Sequence, residues 1–284
     1  MAQYCVLFNP KAGNGNGEQG ARKLARLLAG NELFFTDVTK IGDLQAFLAA
    51  RPQDERLVLS GGDGTLNHFV NDLDGSALSR QVFYWPSGTG NDFLRDIGKA
   101  GCTEPVEISR YLTGLPSVTV KGTTRKFLNG IGYGIDGYCC EVGDQLVGKS
   151  DKPVNYAGIA IKGILFHYRQ TTAEVTVDGA GRQFSNVWLC PTMFGRFYGG
   201  GMMPTPDQDR NAAEKTVSCM VWHDKGKLST LAAFPSIFRG EHVRHTKMID
   251  ILRGRNIKVA FDRPVALQID GETVLAVSEY SVQV

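Results

Sequence analysis

Three times in its first 92 residues the chain runs a short apolar segment into a loop built around glycine. No other feature constrains the fold as tightly. Residues 5–8 lead into Asn9-Pro10-Lys11-Ala12-Gly13, residues 57–59 into Ser60-Gly61-Gly62-Asp63-Gly64-Thr65, and residues 82–85 into Pro86-Ser87-Gly88-Thr89-Gly90-Asn91-Asp92. Helical spacing follows: Ala21, Leu24, Ala25 and Leu28 after the first loop, then Leu66, Phe69, Val70 and Leu73 at i, i+3, i+4, i+7 after the second. A further strand at 33–35 and a helix through Leu44, Phe47 and Leu48 lie between them. Repeated strand–loop–helix units predict a parallel sheet covered by helices. In such sheets ligands bind beyond the carboxyl ends of the strands. Glycine there admits backbone N–H groups to an anion, and the next helix adds its positive end. One such loop is equally an ordinary turn; three on one edge predict a polyphosphate site. Of 284 residues 34 are glycine, well above the ~7% of average usage, and these loops absorb many of them.

Gly15-Asn16-Gly17-Glu18-Gln19-Gly20 matches the dinucleotide pattern GxGxxG, with Asp37 near the end of the second strand. The match starts several residues after the strand rather than at the tight turn, and Ala21-Arg22 occupies the Lys-Ser/Thr positions of a Walker loop, so both readings are set aside. Asp63 is chemically odd inside a phosphate loop unless a cation lies between. Mg²⁺ takes oxygen ligands and is satisfied by one carboxylate plus phosphates and water, which makes Asp63 a candidate metal ligand. The alternative role is helix capping.

From about residue 116 the pattern changes. Short strand candidates fall at 118–120, 127–131, 173–177, 184–190, 217–222, 257–261 and 266–269, with Asp178-Gly179 as a hairpin turn. Helical stretches interrupt them at 154–169 and 228–239. This half reads as an antiparallel sheet or sandwich, with the boundary near Leu115-Pro116. Lys+Arg number 31 against 29 Asp+Glu, too balanced for a nucleic-acid binder. The six scattered cysteines form no CxxC pair, and no leader or membrane-length apolar run is visible, so reduced thiols and a cytoplasmic location are expected.

Gly61-Gly62-Asp63-Gly64-Thr65-Leu66-Asn67, with Asn9-Pro10-Lys11-Ala12-Gly13 and Gly88-Thr89-Gly90-Asn91-Asp92-Phe93, resembles the catalytic domain of the diacylglycerol kinase family, the soluble lipid kinases. Asn129-Gly130-Ile131-Gly132-Tyr133-Gly134-Ile135-Asp136, Gly199-Gly200-Gly201-Met202 and Ile269-Asp270-Gly271-Glu272 extend the resemblance over essentially the whole chain. GGDGT alone is shared with NAD kinases; its combination with GTGND and the late Asp-Gly-Glu is more specific. The resemblance implies a doubly wound α/β nucleotide domain facing a C-terminal β-sandwich domain across a cleft. The first would span 1–118, completed by a returning strand at about 275–284, and the second, lipid-substrate domain 119–274.

The resemblance further implies ATP and Mg²⁺ as cofactors. ATP would lie on Asn9, Pro10, Lys11, Ala12 and Gly13 and on Gly61, Gly62, Asp63, Gly64, Thr65 and Asn67, with Thr39, Thr89, Asn91 and Asp92 nearby. Asp270 is implied as the base that takes the hydroxyl proton, with Glu272 and Asp63 as the other catalytic acids. Phosphoryl transfer to an alcohol asks for this set: an oriented γ-phosphate, neutralised charge and a proton acceptor. On its own, Asp270-Gly271-Glu272 reads as a hairpin turn. A lipid hydroxyl is the expected acceptor, with transient contact at the inner membrane face and no nucleic-acid partner; a homodimer is left open. An NAD kinase-like phosphotransferase is one rival, although Asn91-Asp92 stands where that family carries Asn-Glu. A nucleotide-binding regulator without turnover is the other.

Family members with an ancillary Mg²⁺ in the second domain carry Asp-Asp-Gly after the glycine turn. Here that stretch reads Asn211-Ala212-Ala213, with Asp207 and Asp209 upstream, so that site is expected to be absent or rebuilt. His242 and His245 are expected to face solvent in a basic segment, 239–247, which with Arg253 and Arg255 reads first as a solvated face and second as a contact for an anionic membrane surface. Phe194, Phe197 and Tyr198 are expected at an acyl groove or at a core edge.

Overall fold

The computed structural model describes residues 1–73, 80–88, 90–146 and 154–284, and the chain divides into two units, Met1–Leu115 and Pro116–Val284. In the first unit β1 (Gln3–Phe8), β2 (Glu32–Asp37), β3 (Arg56–Gly61), β4 (Val82–Pro86) and β5 (Val106–Glu107) form one sheet in the order β2-β1-β3-β4-β5. The first four strands run parallel and β5 closes the edge antiparallel. β1 and β3 are buried along almost their whole length, which is why they read as unbroken apolar runs rather than alternating ones. One face of β1 packs Tyr4, Val6 and Phe8 against Ala21 and Leu24. The expected single helix through Ala21–Leu28 is two short ones, Gly17–Arg22 and Leu24–Leu27, meeting at Lys23. The strand order reverses between β1 and β3, so the chain turns opposite ways on leaving these two neighbours. In open α/β sheets that reversal opens the ligand crevice.

The second unit is a continuous antiparallel sheet. Its main path runs β13 (Ile249–Gly254), β12 (Val217–Trp222), β11 (Thr192–Met193), β8 (Gly130–Tyr133), β14 (Asn256–Ile269), β15 (Glu272–Gln283), β6 (Ser117–Val120), β7 (Thr123–Lys126). β9 (Thr171–Val177) pairs with β14 and with β10 (Ala180–Val187). β14 joins the two expected strands at 257–261 and 266–269 into one. Register shifts after Ala260 and Val265 bend it, so that its first half pairs with β9 and its second half with β8. The helix Ile135–Leu146, unread in the glycine-rich sequence, packs closely on β14: a Cβ at Gly137 would lie 1.8 Å from the Ala266 carbonyl oxygen. The helices Tyr156–Lys162 and Lys227–Ala233, with the helical turns Gly163–His167 and Phe234–Arg239 that continue them, bury Ala160, Ile164, Ala233 and Ile237 in one cluster with Trp188 and Trp222.

Two expectations are corrected here. The first unit closes at Leu115 rather than 118, because 117–120 is already a strand of the second sheet. The final strand belongs to the second sheet rather than the first: β15 pairs with β14 along its length and, through residues 281–283, with β6.

Candidate functional site

The three glycine loops follow β1, β3 and β4, whose carboxyl ends lie in register: Phe8 beside Ser60, and Gly61 beside Pro86. They are locked to one another. Asn9 donates its N–H to Ser60 O at 3.2 Å and its amide to Thr65 Oγ1 at 3.1 Å, tying the first loop to the second across the reversal. Ser87 and Gly88 donate their N–H groups to Gly61 O at 2.9 and 3.1 Å, tying the third to the second. A Cβ at Gly88 would sit 2.6 Å from Gly62 Cα, and one at Gly13 would sit 2.4 Å from Ser87 O. These glycines let backbone cross backbone.

The GxGxxG stretch finds its explanation in the same packing. A Cβ at Gly17 would lie 1.9 Å from Asn9 O and one at Gly20 2.8 Å from Ser87 Cβ, while Trp85 Nε1 donates to Gly20 O at 3.0 Å. The three-residue spacing of Gly17 and Gly20 was the available signal; it marks a helix face pressed on a loop.

The helix Asp63–Asp72 starts behind Gly62, which has no side chain to cap it, and its first internal bond runs from Leu66 N–H to Gly62 O. The first-turn N–H groups of a helix have no partner within it. Around Gly64 a Cβ would meet nothing within 4 Å. An uncapped helix start with open space beside it, at the reversal of a parallel sheet, fits a phosphate.

Asp63 caps, but not its own helix. Its carboxylate accepts N–H bonds from Asp92 at 2.7 Å and Phe93 at 3.2 Å, the start of the next helix, Asp92–Asp96. Asn91, in the left-handed region at φ 46°, donates its amide to Gly88 O at 2.9 Å. A lone carboxylate fixed beside a phosphate cradle is a donor set that suits Mg²⁺ shared with phosphates. Among the described residues no three His, Cys, Asp or Glu side chains gather elsewhere to compete.

The remaining expected residues are distributed unevenly. Lys11 is exposed, with its N–H on Asn9 Oδ1; Pro10 O accepts the Gly17 N–H and Asn9 O the Ala12 N–H. Asn67 is buried and accepts from Asn71. Thr39 follows β2, one strand further along, with its hydroxyl on Asp37 at 2.7 Å. Burial alone would push the Asp37 carboxyl up, but Thr39 and Lys40 outweigh it and hold it below its ordinary value. Thr89 lies outside the described residues.

In the second unit Ile269 pairs with Glu272, so Asp270 and Gly271 form a two-residue hairpin turn, both with positive φ (47° and 95°). Asp and Gly tolerate that region best. The Asp270 carboxylate accepts three successive N–H bonds, from Leu128 at 2.6 Å, Asn129 at 2.9 Å and Gly130 at 3.0 Å. This is why the expected strand at 127–131 survives only from Gly130, as the start of β8: residues 128–130 turn their N–H groups to an acid, and Phe127 donates its N–H to Pro116 O at 3.2 Å. Glu272 is ion-paired with Arg125.

The ancillary metal stretch does not fit a divalent ion. Asn211-Ala212-Ala213 supplies no carboxylate, and Asp209 Oδ1 is on the Asn211 N–H at 2.8 Å. The chain's own cations stand on the backbone carbonyls: Lys215 Nζ on Arg210 O, and Arg253 on Asp207 O at 2.6 Å. His242 corrects another expectation. It is fully buried, stacked on Trp222, and donates Nε2–H to Pro204 O at 2.8 Å. Phe194, Phe197 and Tyr198 are buried, and the Tyr198 hydroxyl donates to Asp136. Burial pushes the Asp136 carboxyl up to about 7, against the opposing pull of that bond.

Comparison with known proteins covers nearly the whole chain. Residues 3–125 match the profile of the diacylglycerol kinase catalytic domain, and 130–283 that of the YegS C-terminal NAD kinase beta sandwich-like domain. A diacylglycerol kinase of Staphylococcus carnosus is 25% identical, covering 94% of this chain and 87% of its own. One from Mycobacterium tuberculosis is 26% identical over 86% and 80%. The fold is that of a diacylglycerol kinase crystal structure from Bacillus anthracis, with a TM-score of 0.60 at 17% identity, covering 99% of this chain and 93% of that one.

Proposed function

The chain belongs to the diacylglycerol kinase catalytic domain family and is a kinase-type transferase; from that premise we propose that it moves the γ-phosphoryl group of ATP to the hydroxyl of a diacylglycerol-like lipid. The observation that carries this is the meeting of the first two glycine loops at the strand-order reversal, beside the uncapped start of the Asp63–Asp72 helix. Backbone N–H groups there would hold the phosphates, and Asp63 would hold Mg²⁺. The ion would supply charge neutralisation on the transferred group.

On the acceptor side we assign Asp270. In the transfer the hydroxyl oxygen bonds to the γ-phosphorus, the bond to the bridging oxygen breaks, ADP leaves, and the hydroxyl proton passes to a carboxylate. The three N–H bonds to Asp270 fix its two oxygens in direction. A carboxylate fixed in this way can receive the proton late, as the hydroxyl becomes acidic on phosphorylation. Arg125 holds Glu272 beside the turn, so Glu272 acts as a support for it.

The test is γ-³²P-ATP turnover by the full chain with dioleoylglycerol in mixed micelles, with NAD⁺, and with no acceptor. Label in phosphatidic acid supports the reading. Label in NADP⁺ alone, or in no product while ATP still binds, overturns it.

A further inference from the structure

Two segments of the second unit contain no acidic residue at all: 154–169 and 225–240. Together they carry Lys162, Arg169, Lys225, Lys227 and Arg239. The fold places them side by side. Their inner faces bury Ala160, Ile164, Ala233 and Ile237 in one cluster, and Lys227 Nζ donates to Leu165 O at 2.5 Å across the seam.

Their outer faces are apolar. Phe166 is 73% exposed, Leu228 79%, Ile161 47% and Phe238 46%, while Ala232 and Pro235 continue the same outward side of the 227–239 stretch. Single exposed apolar residues are ordinary; several large ones on adjoining elements, ringed by cations and lacking acids, mark an interaction site. Among the described residues no helix is long and apolar enough to cross a membrane. Side chains of this size reach into the headgroup region, and Lys and Arg at the rim meet anionic lipid.

We infer that Ile161, Phe166, Leu228 and Phe238, with Lys162 and Lys227, form a docking face for an anionic lipid bilayer. The inference rests on a lipid acceptor, which gives the protein a reason to visit a bilayer. It differs from the basic segment 239–247, the lesser membrane alternative in the sequence. There His242 is buried, Arg239 is paired with Glu241 at 2.7 Å, and neighbouring Arg253 is bound to Ser218 and Asp207. Charge complementarity favours the bilayer over a second copy of the chain, because two copies meeting on this face would bring like charges together.

The test is sedimentation of the full chain with vesicles of phosphatidylcholine alone or with one-third phosphatidylglycerol. F166S/L228S and K162Q/K227Q are compared, and each is checked for an unchanged melting temperature. The expected result is binding to the anionic vesicles only, weakened by salt, with at least a tenfold loss in F166S/L228S. K162Q/K227Q should lose roughly fivefold per cation. Turnover of both variants on a monomeric short-chain diacylglycerol should stay at the wild-type rate. Wild-type vesicle binding by both variants overturns the docking face. So does a dimer of the wild-type chain that F166S/L228S dissociates. Absence of lipid phosphorylation by a chain that still binds vesicles through these residues overturns the proposed activity and leaves the docking face standing.

Discussion

Asp63 and Asp270 each follow a strand and stand beside glycine, Asp63 at a helix start in the first unit and Asp270 in a tight turn in the second, and they are held differently. Asp63 accepts two N–H bonds from the start of a following helix, with open space at Gly64 next to it. Asp270 accepts three from a broken strand, inside a hairpin whose φ values are both positive. In each unit an acid that reads as chemistry also organises a neighbouring segment. The first unit combines that with room for a ligand; the second commits the acid more fully to its own fold. Substituting either residue therefore changes structure and chemistry together, and activity loss alone cannot assign a role.

The largest expected effect separates the two acids. D270A leaves three N–H groups without their acceptor and should cost about 4 kcal/mol; D63A leaves two and should cost about 2–3 kcal/mol. Chemical denaturation of each variant measures this, and equal losses would break the comparison. D63A should also weaken Mg²⁺–ATP binding, which D270A should leave nearly intact; calorimetric titration reads that difference.

Glycine substitutions sharpen the contrast between packing and ligand space in the first unit. G61A drives a Cβ to 2.4 Å from Thr65 Cβ and should cost about 2–3 kcal/mol. G64A meets nothing and should melt with the wild type while binding ATP more weakly. A G64A chain with unchanged ATP affinity would remove the helix start from the phosphate site.

Asp136 gives the second unit a pH dependence that reaches to neutrality. Its pKa rises from the ordinary 3.8 to about 7. Between those values the folded chain binds a proton that the unfolded chain has lost. The stability from this group is therefore full below about pH 4 and falls away as pH climbs through about 7. D136N stays neutral throughout. Between pH 5 and 8 the wild type should lose on the order of 2 kcal/mol more than D136N, measured by urea unfolding. Parallel profiles would show that Asp136 ionises at an ordinary pH.

The smallest effect concerns the loop around Lys215. With an ammonium on Arg210 O, EDTA or added Mg²⁺ should leave the melting temperature of the ligand-free chain unchanged. K215M should lower stability by about 1 kcal/mol. A rise in melting temperature on adding Mg²⁺ in the absence of nucleotide would point to a metal in that loop.

The parallel sheet and its three loops were legible from residue order because strands buried on both faces write themselves as apolar runs, and because turns at their ends need glycine whatever the context. The Asp178-Gly179 and Asp270-Gly271 hairpins were legible for the same local reason: few other residues adopt positive φ at low cost. What tertiary structure decided were the long-range partners. Nothing local to Asp270 announces that residues 128–130 will donate to it, and nothing in 211–215 reveals that Lys215 will stand on Arg210 O. The burial of His242 and the exposure of Phe166 and Leu228 ran against composition alone, since burial depends on what packs from elsewhere in the chain. The final strand chose its sheet in the same way. Strand pairing is won by whichever edge is available, and β14 offered one along the whole of β15. Conformational preference is a property of a few consecutive residues, whereas contact, burial and charge environment belong to the assembled fold.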